Sequence, residues 1–85
     1  VMRVTKAKDN IVYEIDGKKA VDIYRYYFGD VIADSLPAVG IEFPLILKKE
    51  IEIARAVIGK NSDGSLVFAG NLKVGDRVQF GFGNV

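Results

Sequence analysis

Asp16-Gly17-Lys18-Lys19-Ala20-Val21-Asp22-Ile23-Tyr24-Arg25-Tyr26-Tyr27-Phe28-Gly29 is the one stretch of this chain with a strong helical pattern. Ala20, Ile23, Tyr24, Tyr27 and Phe28 recur at the i, i+3, i+4, i+7, i+8 spacing of a single face, with Lys19, Asp22, Arg25 and Tyr26 opposite. The apolar face is broad and aromatic, so it needs a sheet to cover it. Asp16-Gly17 supplies a turn before the helix, with Asp16 as a candidate acceptor for its free amides, and Gly29 supplies a stop. Val31-Ile32-Ala33 adds a short further turn, with Val31 expected on the same apolar face, before Leu36-Pro37 breaks it.

Around that helix the chain alternates as strands. Met2-Arg3-Val4-Thr5-Lys6-Ala7 and Ile11-Val12-Tyr13-Glu14-Ile15 flank the turn pair Asp9-Asn10 and predict a hairpin. Phe43-Pro44-Leu45-Ile46-Leu47 is an apolar run whose proline suits a strand start or a sheet edge. Residues 50–56 have fair helix propensity, but the density of β-branched side chains and the turn at Asn61-Ser62-Asp63-Gly64 favour a strand over 51–57. Leu66-Val67-Phe68-Ala69 returns from that turn. A last strand sends Val78, Phe80 and Phe82 to one face and Arg77, Gln79 and Gly81 to the other. The expected fold is α+β: a curled antiparallel sheet of about six strands packed on one main helix over about residues 18–28.

Eighty-five residues allow one compact module over 1–85. A chain this short buries only about 60–65% of its unfolded surface, and its stability scales to about 4–13 kcal/mol. It begins at Val1 in a strand-like pattern and stops at Val85 just after another, so it reads as a fragment of a larger protein. Twelve basic and eleven acidic side chains leave a charge of +1, which implies no nucleic acid partner. No apolar run reaches the length of a membrane span, and the expected setting is cytoplasmic.

Cysteine and histidine are both absent. Disulfides, thiolate or histidine zinc sites, and catalysis through Ser-His-Asp or Cys-His are thereby excluded. The expectation is no catalytic residue, no metal and no cofactor. Asn61-Ser62-Asp63-Gly64 superficially resembles a calcium loop, but Gly59 and Gly70 occupy the first and last ligand positions, so a hairpin turn is the better reading. Phe68 and Phe82, with the glycines around them, resemble the aromatic motifs of an RNA-recognition fold, yet they are too close together in the chain and the basic residue before the second is Phe80.

Two surface features stand out. Arg55 shares its strand face with Ile51, Ile53 and Val57, so a permanent charge points where apolar groups belong. Either it reaches the sheet edge or a carboxylate of its own domain, or it binds the carboxylate of a ligand. Asp22, Arg25 and Tyr26 on the outer helix face form a candidate interaction surface.

Val12-Tyr13-Glu14-Ile15-Asp16-Gly17, then Ala20, Val21 and Tyr24, then Phe43-Pro44-Leu45 and Arg55, then Asp63-Gly64-Ser65-Leu66-Val67-Phe68-Ala69-Gly70, and finally Gly75 and Val78 follow one another as in a known family. In these residues the chain resembles the first part of the C-terminal domain of FIST proteins, a family of intracellular sensory modules. The resemblance implies a non-enzymatic role in signal transduction, with small molecules such as amino acids as ligands and other domains of the same polypeptide as partners. It brings no catalytic residues. The alternative expectation is an interaction or scaffold module that works through the outer helix face or an exposed strand edge at residues 43–47.

Overall fold

The computed structural model describes residues 1–81. Strands β1 (Met2–Lys8) and β2 (Ile11–Ile15) form the expected hairpin; alternation in β1 buries Met2 and Val4, whereas β2 buries Val12 and Ile15, three residues apart. Its turn holds Asp9 at φ 54°, a left-handed conformation that a short polar side chain tolerates. Shifts in register between Val4 and Ala7 mark an irregularity that bends the ribbon.

After β2 the chain turns through Asp16 (φ 51°) and Gly17 (φ 75°) into β3 (Lys18–Lys19), which pairs back on β2. Those two lysines were expected in the helix, but pairing with Glu14 and Ile15 holds their backbone extended. Helix α1 (Ala20–Phe28) therefore starts at Ala20, with no side-chain cap. Asp16 is engaged elsewhere: its Oδ1 accepts the Arg3 backbone N–H at 2.9 Å. The Val21 N–H instead donates 3.0 Å to the Gly64 carbonyl, so a turn distant in sequence caps the helix.

The inner face of α1 is rotated from the expected one. Ala20, Val21, Ile23 and Tyr24 are buried, Phe28 is half-buried, and Tyr27 lies at the rim. Gly29, at φ 89°, ends the helix, and α2 (Asp30–Asp34) follows in a new direction. Because that break resets the helical phase, Val31 faces solvent and Ala33 is the buried residue.

The remaining strands are β4 (Leu45–Leu47), β5 (Ile53–Arg55), β6 (Val57–Lys60), β7 (Leu66–Phe68) and β8 (Arg77–Phe80). Every pairing is antiparallel, in the order β5-β4-β8-β1-β2-β7-β6 with β3 on the side of β2. Among the described residues eight strands stand where about six were expected, because the single strand over 51–57 becomes two and β3 is added. The two ends of the order, β5 and β6, are separated in sequence only by Ala56, whose carbonyl accepts the Ala69 N–H at 2.9 Å. The sheet thus curls until its ends meet. β4 lies between β5 and β8, so residues 43–47 are not the exposed edge that the proline suggested.

One core fills the curl. Val4, Val12, Ile15, Leu45, Leu47, Leu66, Phe68 and Val78 meet Tyr24 from the helix. The Tyr24 hydroxyl donates 2.7 Å to the Phe43 carbonyl, and its ring stacks edgewise on Phe80 with centroids 4.9 Å apart. Burial pushes this phenol well above its ordinary value. Among the described residues no helix is long and apolar enough to cross a membrane, and no group of carboxylates is placed to hold a metal ion.

Candidate functional site

The β2–β3 turn folds Asp16 and Lys18 back beside the outer face of α1, and together with Asp22, Ile23, Tyr26 and Tyr27 they line a concavity of about 480 Å³. Helical spacing builds its helix side: Asp22 and Tyr26 are one turn apart, as are Ile23 and Tyr27. Ile23, itself buried, is the apolar contribution. Tyr26 is 82% exposed and Tyr27 55%, the two rings standing at 86° with centroids 5.1 Å apart. Tyr27 also leans on Phe80, 5.3 Å between centroids, which ties the rim of the concavity to β8.

Of the three residues expected to form an outer surface, Asp22 and Tyr26 meet in this concavity and Arg25 does not line it. Arg25 donates to Asp30 Oδ1 at 2.8 Å and to Asp34 Oδ1 at 2.9 Å, bridging the two helices across Gly29. Its hydrogen bond lowers the Asp34 carboxyl below the usual range, and the two acids in turn raise the guanidinium. Asp16, Lys18 and Tyr27 were not expected here. Tyr27 had the apolar periodicity of the core, while Asp16 and Lys18 reach the helix only through strand pairing, which no local pattern signals.

Arg55 lies apart from these residues. Its guanidinium packs against Gly70, so closely that a Cβ there would sit 2.6 Å from Cζ and Nε. Nε donates weakly to the Asn71 carbonyl at 3.4 Å, and no carboxylate pairs with it among the described residues. The side chain, on the terminal strand β5 of the sheet order, reaches backbone and not a carboxylate.

The Asn61-Ser62-Asp63-Gly64 turn is knitted to itself. Asp63 Oδ1 accepts the Ser65 N–H at 2.9 Å and its hydroxyl at 2.6 Å, while Asn61 Nδ2 donates to the same hydroxyl at 3.0 Å. The two bonds from Ser65 hold the Asp63 carboxyl below its ordinary range. Phe68 is fully buried and offers no stacking platform; Phe82 lies outside the described residues.

Among the described residues, a nearly closed antiparallel sheet with two short helices and an open concavity on the main helix make this a small α+β domain. Residues 20–85 match the family model of the FIST C domain, and the chain belongs to that family, whose members are sensory domains of signal transduction. No curated protein and no solved structure matches it. The match starts at Ala20, the first residue of α1, so Val12 to Gly17 of the quoted resemblance, and with them β1, β2 and β3, precede it.

Proposed function

We propose that this domain works without catalysis and contributes a small-molecule binding surface to a signal-transduction sensor, at the concave outer face of α1. The observation that carries the reading is the convergence there of an ammonium, two carboxylates and two exposed tyrosines over a buried isoleucine. Such a mixture suits a small amphoteric molecule such as an amino acid, with polar groups fixing orientation and apolar surface adding contact. Other domains of the same polypeptide are its partners, and a cytoplasmic setting, with no nucleic acid or membrane, fits the balanced charge and the absence of cysteine.

Thermal unfolding in the presence of the twenty free amino acids tests it. A ligand at a hundred times its dissociation constant stabilises the folded state by about 2.7 kcal/mol, a shift of many degrees in so small a domain. Asp22→Lys, which fills and recharges the concavity, should abolish the shift and leave the unliganded melting temperature close to the parent's. Equal shifts in parent and variant would remove the site from this face.

The exposure of Tyr26 beside Tyr27 favours a second reading, in which the same face docks another domain. Tyr26→Ala would then weaken that docking in the full polypeptide while amino acids leave melting unchanged.

A further inference from the structure

Three features of the concavity select one chemical group. The first is its charge: Asp16 and Asp22 against Lys18 leave the lining net negative. One Asp16 oxygen is taken by the Arg3 N–H, but Asp22 has neither a hydrogen bond nor an ion pair among the described residues. Its carboxylate is an acceptor without a donor. The second is the set of the rings. Tyr26 and Tyr27, at 86° and 5.1 Å, stand edge to face as a two-walled corner, and both side chains are exposed. The negative potential of an aromatic face attracts cations and repels anions. The one cation over a ring among the described residues is Lys6 above Tyr13, so none sits over Tyr26 or Tyr27. The third is Ile23, buried beneath, which favours an apolar skeleton over a heavily hydrated one.

An anionic ligand fits poorly. It would gain a single exposed lysine and meet two carboxylates, whereas a cation is opposed by that lysine alone and meets both carboxylates and the exposed tyrosine rings favourably. We infer that the concavity recognises the ammonium group, primary or methylated, of a small molecule. Asp22 accepts its N–H or faces its charge, Tyr26 and Tyr27 give it their rings, and Lys18 pairs with a carboxylate when the ligand carries one. This rests on the small-molecule reading above and adds which end of the molecule is read. It also reverses the polarity expected from Arg55, since the anchor becomes the ligand's cation and the protein's anion.

The test is a matched titration of the full chain, followed by calorimetry and by amide and tyrosine ring resonances. Three series are compared: free amino acids, the corresponding amines without the carboxylate, and the N-acetyl amino acids without the ammonium. Free amino acids and amines should bind, perturbing Asp22, Tyr26 and Tyr27, and the N-acetyl series should not. Asp22→Asn should weaken the amines by about tenfold or more, and Tyr26→Ala by about threefold, while Tyr26→Phe keeps the ring and the affinity. If the N-acetyl series binds at this face and the amines do not, ammonium recognition is wrong and the small-molecule reading survives through Lys18. Silence from all three series, with the spectrum of a folded protein, overturns both.

Discussion

Tyr24 shows how one residue joins helix, connection and sheet. Its hydroxyl is the donor to the Phe43 carbonyl, and its ring fills the space between α1 and β8. Tyr24→Phe keeps the ring and removes one hydrogen bond, so chemical denaturation should register a loss of about 1 kcal/mol, a sizeable part of the total available to so short a chain. Because burial raises its folded-state value above 10.0, the folded chain holds the phenolic proton more tightly than the unfolded one. The contribution is complete below that pH and is lost as pH climbs above it. Alkaline unfolding curves of parent and Tyr24→Phe should therefore converge. Arg55 and Gly70 form a second unit. Gly70→Ala displaces the guanidinium from its seat, and a double-mutant cycle with Arg55→Ala should give a coupling of about 0.5–1 kcal/mol. Zero coupling would mean that the packing contributes nothing.

At the scale of elements, the fold was legible wherever a side-chain pattern is local. The strands over 11–15 and 77–80, the Asp9-Asn10 turn and the helix over most of 18–28 all express themselves in consecutive residues, although β2 buries Val12 and Ile15 and not the alternating set Ile11, Tyr13 and Ile15. What sequence could not show is non-local. The capping of α1 by the Gly64 carbonyl, the extension of Lys18 and Lys19 by β2, and the division of the 51–57 strand at Ala56 each depend on a partner remote in the chain. The site follows the same rule: Asp22 and Tyr26 stood out as exposed helix residues, and Asp16 and Lys18 joined them only through pairing. Connections carry comparable constraints. Gly40 presses on β6 so that a Cβ would lie 2.0 Å from the Val57 carbonyl oxygen. Relief there requires backbone movement, and Gly40→Ala should cost about 2–3 kcal/mol by urea denaturation. Gly17, with nothing within 4 Å of a Cβ, should lose only what its φ of 75° demands, about 1 kcal/mol as Gly17→Ala.

Across the whole molecule, the centre of the sheet is made of the strands furthest apart in sequence. β1 lies between β8 and β2, so the strands that precede the family match at Ala20 supply the middle of its fold. Deleting residues 1–8 would expose both neighbours, and circular dichroism of that variant should show an unfolded chain. Native-state hydrogen exchange should place the slowest amides in β1, β2 and β8 and faster ones in β5, which pairs on one side alone. The antiparallel contact between β1 and β8 also fixes how the molecule answers a pull. Met2 pairs with Val78 and Arg3 with Arg77, so the leading end of β1 and the trailing end of β8 sit at the same end of one ladder. Tension applied through those two strands opens the ladder like a zipper, rung by rung, instead of loading all of its hydrogen bonds together in shear. Mechanical weakness is thus built into the middle of the sheet, where the amides are expected to exchange most slowly.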